Sequence, residues 1–184
     1  MNRVQLLRAI QFIDDNIEMP KYVGAILHAV KSKEFHTKEI DEILFTYNIN
    51  ESFAKIDFLN VLIEYIRIVL ENGALNDEAL ENIRFFKLLF RINPGDFYLH
   101  KKFEIEQIIK YQLAKFYDDN KVSPDEAFLK VEIQELFDLS YDQMNEYAKA
   151  EALLLLQQGV NPLALDVLLT HNEYCRLPQE EYLY

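Results

Sequence analysis

The 184 residues contain no tryptophan, one cysteine, four glycines and five prolines. A lone Cys175 excludes an internal disulfide framework and fits a reducing cytosol. Isolated glycines at 24, 73, 95 and 159 leave no glycine-rich loop to cradle a phosphate. The Leu153–Leu156 run falls far short of the ~20 apolar residues that a bilayer-spanning helix needs. No basic stretch followed by an apolar one opens the chain as a secretory leader would. These features predict a protein of the cytoplasm with no transmembrane segment.

Positive charge is also scarce. Nineteen Lys and Arg face 31 Asp and Glu, a net charge of −12. From Gln134 to Tyr184 nine acids face only Lys149 and Arg176, so that stretch carries −7 of the total. Such a field repels phosphate backbones and disfavours direct nucleic-acid binding, while a basic protein partner suits it. Asp138, Asp142, Glu146 and Glu151 are the candidate partner-binding residues within it, because complementary charge speeds and directs association.

What the chain has in quantity is apolar and aromatic side chains: half the residues are hydrophobic, with 13 Phe and 11 Tyr. Their spacing is helical. Val4, Leu7, Ile10, Ile13 and Ile17 mark a first amphipathic helix, and Val23, Ile26, Leu27 and Val30 a second that opens at Pro20, with Gly24 expected at a close helix crossing. Beyond it a local signal recurs: a hydrophobic residue, then Asn, Ser or Thr, then often an acid or Pro. It stands at Phe35-His36-Thr37, Ile49-Asn50-Glu51, Leu75-Asn76-Asp77, Ile92-Asn93-Pro94, Val122-Ser123-Pro124, Leu139-Ser140-Tyr141 and Val160-Asn161-Pro162.

Each reads as a helix start, since the short polar side chain accepts hydrogen bonds from the orphan amides of the first turn. Ser140 and Gln143 have capping-box spacing. The starts predict helices near 38–47, 51–71, 77–91, 94–118, 124–138, 141–158 and 162–171. In the 94–118 helix, Phe97, Phe103, Ile108 and Tyr111 are expected on the buried side and Lys101, Lys102, Glu106 and Lys110 opposite. Helix 141–158 reads as apolar nearly all round, and therefore central. No run alternates in the manner of a strand.

The fold class is all-α: a helical bundle of about eight to nine helices in a single domain over 1–184, its connections short enough to make consecutive helices neighbours. Residues 172–184 form a C-terminal tail. Val69–Phe97, shifted by 47 positions, lies over Phe116–Met144, pairing Leu75 with Val122, Asn76 with Ser123, Phe86 with Ile133, and Leu89 and Phe90 with Leu136 and Phe137. This reads as an internally duplicated helix-loop-helix unit.

Asp119-Asn120-Lys121-Val122-Ser123-Pro124-Asp125-Glu126, followed by Leu136-Phe137-Asp138-Leu139-Ser140, resembles the helix-loop-helix of the tellurite-resistance TerB-like family, and Asn72-Gly73-Ala74-Leu75-Asn76-Asp77-Glu78 looks like the same unit. The resemblance covers residues 52–160. It implies an all-α, internally repeated protein from a bacterial stress-response setting with metal-linked functions. The family's Asp-Gly turn is half kept in each unit, as Asn72-Gly73 and Asp119-Asn120, and only Asp119 is carried over as a metal residue, for Ca²⁺ or Mg²⁺.

Sites read from the residues themselves are few. Asp96, His100 and Glu104 share a helix face, but i to i+8 spans about 12 Å, too far for one ion. Asp118-Asp119-Asn120 offers oxygens to a hard cation without the alternating ligands of an EF-hand loop. Cys175 lies four residues after His171 with no oxyanion-hole signature, and reads as a small buried hydrophobe. The functional expectation is a non-enzymatic acidic protein-interaction module. The alternatives are an immunity or antitoxin-like protein holding a basic toxin, and a TerB-like divalent-cation-binding stress protein.

Overall fold

Helix follows helix wherever a run of 3.6-periodic apolar residues is bounded by a capping residue. The computed structural model describes residues 3–73, 75–115, 131–157 and 159. The helices are α1 (Arg3–Asn16), α2 (Lys21–Val30), α3 (Lys38–Thr46), α4 (Glu51–Glu71), α5 (Asp77–Leu89), α6 (Asp96–Lys115), α7 (described from 131 to 136) and α8 (Tyr141–Gln157). Among the described residues there is no strand. No helix among them is long and apolar enough to cross a membrane. The chain divides into two compact units, Met1–Asp96 and Phe97–Tyr184.

The first unit is organised on α4. Ten of its residues are buried, from Ala54 to Leu70, and they form one broad inner face, while Asn60, Arg67 and Glu71 stand exposed on the other side. Rings from four helices meet there in one continuous chain. Tyr22 of α2 lies 6.3 Å from Phe58 of α4, which stacks on Phe90 at 4.5 Å and 5°. Phe90 meets Phe86 of α5 at 5.9 Å, Phe86 meets Tyr65 of α4 at 5.9 Å, and Tyr65 meets Phe12 of α1 edge-on at 5.7 Å. Phe58 and Tyr65 are two helical turns apart, so one face of α4 carries both ends of the series. Offset or edge-on contacts of this kind add about 0.5–1.5 kcal/mol per pair beyond the area they bury.

Polar groups at the margin are paired. The Tyr22 hydroxyl donates to Asp57 Oδ2 at 2.5 Å, and burial, then the adjacent carboxylate, pushes the phenol's pKa far up. Lys55 of α4 donates to Asp96 Oδ2 at 2.8 Å, and the same carboxylate accepts from the Asn93 amide, capping α6. Gly24, by contrast, has nothing within 4 Å of where a Cβ would stand, so no close crossing requires it.

Buried in the second unit are Phe97, Ile105, Ile108 and Ile109 of α6, Ile133, Leu136 and Phe137, and Met144 and Tyr147 of α8. Phe97 and Phe137 meet edge-on at 5.5 Å. α8 is not apolar all round as its composition predicts: Ala150 is exposed and Leu154 is 47% exposed. Alanine adds too little apolar area to draw a whole face inward, and the larger Met144 and Tyr147 select the buried side.

Three of the hydrophobe-then-cap signals, at Ile49, Ile92 and Leu139, share one device. Asn48, Arg91 and Asp138 take φ of 54°, 53° and 52°, and the next residue's amide closes back five residues: Ile49 to Leu44, Ile92 to Lys87 and Leu139 to Gln134. This is the Schellman C-cap, and the hydrophobe after it immediately precedes the next N-cap. Asn50 accepts from the Phe53 amide and Asn76 from the Ala79 amide. Ser140 and Gln143 form both bonds of the capping box. Thr37 makes no side-chain cap; Glu39 accepts from the His36 amide instead. Arg91 and Asp138 fall on each other in the 47-residue shift, but Asn48 builds the same turn without belonging to it. The starts at Val122-Ser123 and Val160-Asn161 lie outside the described residues.

Candidate functional site

Asp142 and Glu146 stand one turn apart near the start of α8, both exposed. Asp142 lies in the first helical turn, where a negative charge complements the helix dipole. Glu146 contributes to the field at Lys102 and Tyr147, which brings α6 beside it. Asp138 is different: it is the left-handed residue of the turn into α8, half-buried and already engaged in an interaction of its own. Glu151 lies on α8, its side chain outside the described ones. Two of the four predicted acids, Asp142 and Glu146, therefore form an open acidic edge.

The α6 side of this edge is built around an interruption. Lys101 takes φ −136° and ψ 28°, outside the helical region, and breaks the helix into two phases. Beyond the break Ile105, Ile109 and Gln112 turn inward. Phe103 stands two residues before Ile105, close to the opposite side of a helix with 3.6 residues per turn. It is 70% exposed, and Leu99, four residues earlier, is 74% exposed. The expected grouping of Phe103 and Tyr111 with Phe97 and Ile108 is thus corrected: Phe97 and Ile108 are buried, Phe103 and Tyr111 are not. Lys101, expected outside, is the more enclosed partner of its ion pair with Glu104 at 3.1 Å. A continuous-helix pattern cannot register a break in phase, although the Ile105, Ile109, Gln112 series already leaves Phe103 off its face.

α6 also carries a small aromatic and cationic cluster. Lys102 Nζ donates to the Tyr98 hydroxyl at 2.9 Å and lies 4.7 Å from the ring centroid. The hydroxyl's hydrogen bond raises the lysine pKa. The Tyr147 hydroxyl is buried without a hydrogen-bond partner among the described residues. Its pKa is pushed up first by burial, then by the Glu106 carboxylate.

Asp119, Cys175 and His171 lie outside the described residues. Among the described residues no three His, Cys, Asp or Glu side chains are grouped to hold a metal ion. Large apolar side chains are exposed in the first unit too, Phe45, Phe53 and Leu88 among them. Compared with protein-family models, with curated proteins and with solved structures, the chain finds no match, so the chemistry of its own surfaces carries the functional argument.

Proposed function

We propose that the chain is a non-enzymatic helical interaction module whose second unit takes a basic, amphipathic segment of a protein partner. The observation that carries this reading is the exposure of Leu99 and Phe103, two large apolar side chains four residues apart on α6, on either side of the break at Lys101. Contacts with such side chains supply the desolvated centre of an interface, and a charged rim supplies direction and rate. Asp142 and Glu146 are that rim, and the net charge of −12 favours a basic partner over an acidic one. Holding a basic toxin, as an immunity protein does, is a narrower form of the same chemistry.

Quantitative pull-downs with the wild type, a Leu99→Ser/Phe103→Ser variant and an Asp142→Lys/Glu146→Lys variant separate the two contributions. Partners retained by the wild type should be bound about tenfold or more weakly by the apolar variant, as for truncated interface anchors. The charge-reversed variant should lose affinity and also the salt sensitivity of what remains. Equal recovery of the same partners by all three proteins, at unchanged melting temperature, overturns the proposal.

A further inference from the structure

A cavity of about 270 Å³ opens between α1, α4 and α5, entirely within the first unit. Its lining is divided by burial. Ala9, Val69 and Ala79 are buried and, with the half-buried Phe12, give it apolar walls. Tyr65 and Asn82 also line it, and the Asn82 amide donates to the Tyr65 hydroxyl at 3.2 Å, so these two polar groups are engaged with one another. Arg8, Asn72, Asn76 and Glu78 are exposed and form the rim. Each helix thus brings a polar residue to the mouth and an apolar one about a turn further in: Arg8 and Phe12 on α1, Asn72 and Val69 at the end of α4, Asn76 and Ala79 at the start of α5.

The rim carries both signs of charge. Asn72 is the C-cap of α4 and Asn76 the N-cap of α5, so the negative end of one helix dipole and the positive end of another face the same mouth. Arg8 and Glu78 add a full charge of each sign, and among the described residues neither makes an ion pair, with the other or with a third group. Burial is the main cause that raises the Tyr65 pKa, and the Glu78 charge adds to it, so the carboxylate acts on the same cavity. A simple anion at the mouth would meet Glu78, and a simple cation would meet Arg8. A group that carries both charges on neighbouring atoms suits the two together.

We propose that this cavity is a binding site for a free α-amino acid with an apolar side chain. Its carboxylate accepts from the Arg8 guanidinium, its ammonium donates to Glu78, and its side chain lies against Phe12, Val69 and the Ala9 and Ala79 methyls. The volume, just under the about 300–1,000 Å³ of pockets for drug-sized ligands, suits a molecule of that size. The site lies wholly in the first unit, and binding there does not depend on a protein partner.

Free phenylalanine is the probe, with two controls of similar shape: phenethylamine, which lacks the carboxylate, and 3-phenylpropionate, which lacks the ammonium. Titrations of the full chain carrying labelled alanine and valine methyls should show phenylalanine shifting the Ala9, Ala79 and Val69 signals, with a dissociation constant on the order of 1 mM for so small a molecule. Each control should bind about fivefold more weakly, the effect of losing one exposed ion pair. Arg8→Gln should abolish the preference over phenethylamine, and Glu78→Gln the preference over 3-phenylpropionate. Both side chains are exposed, so the two variants should keep the wild-type melting temperature. No saturable shift with phenylalanine, shifts centred away from these three residues, equal affinity for the three probes, or preferences untouched by the two substitutions overturns the proposal. The comparison of probes on the wild type decides the question even where a variant does not fold.

Discussion

α4 and α6 are nearly equal in length, 21 and 20 residues, and they use that length in opposite ways. α4 runs unbroken and buries apolar side chains from Ala54 to Leu70, so most of its information goes into its own unit. α6 breaks phase at Lys101, keeps Phe97, Ile105, Ile108 and Ile109 inside, and leaves Leu99 and Phe103 in solvent. The amino-acid types are similar. What differs is whether a continuous helical phase gathers them on the inner side, and that is what separates a core helix from one with apolar contact to offer.

The sharpest way to break this comparison is a matched pair of truncations. Phe58→Ala in α4 removes a ring stacked on Phe90 and touching Tyr22, and should cost about 3–5 kcal/mol in chemical denaturation. Phe103→Ala in α6 should stay within about 0.5 kcal/mol. Comparable losses at both positions would mean that Phe103 is a core residue after all, and the interaction surface would lose its centre.

A smaller effect sharpens the account of how α4 is set in place. Asn50 caps it through the Phe53 amide at 2.9 Å, and Asn50→Ala should cost about 1 kcal/mol with the buried core unchanged. Retention of full stability by this variant would assign the helix start to packing alone.

The smallest effect is at the surface of the first unit. Arg91 binds Asp41 through both Nη atoms, at 2.8 and 3.0 Å, and Glu51 lies 3.7 Å from the same guanidinium. Hydrogen bonding from Arg91 holds the Asp41 carboxyl below its ordinary range. A depressed carboxyl stabilises the fold above its unfolded pKa, and that contribution is lost as pH falls through the folded value. Asp41→Asn should therefore cost about 0.5 kcal/mol at pH 7, discounted for solvent exposure, and the gap to the wild type should close in acid. A gap that persists below the carboxylate range would point to packing instead of charge.

Much of the fold is legible in local spacing. Helix starts at Asn50, Asn76 and Ser140 follow from capping chemistry that acts within four residues, and α4 runs over the span that its pattern predicts. The candidate surfaces are legible only in part. Asp142 and Glu146 follow from sequence because exposed acids need no partner to be recognised, whereas Asp138 serves the turn as well as the charge pattern. The exposure of Phe103 depends on one non-helical residue two positions earlier, and the Asn82–Tyr65 pair joins residues 17 apart on different helices. Neither leaves a periodic mark.

The turns at Asn48, Arg91 and Asp138 also bear on the speed of folding. Each is closed by bonds to residues no more than five positions away, with an N-cap or capping box directly behind it. The exit from one helix and the entry to the next are thus decided among near neighbours, before any distant contact forms. Loop closure over such distances carries little entropy cost, and chains rich in local contacts fold fast. The slow part of the search is then left to the ring series from Phe12 to Tyr22, which has to bring four separate helices together before its stacking rewards any of them.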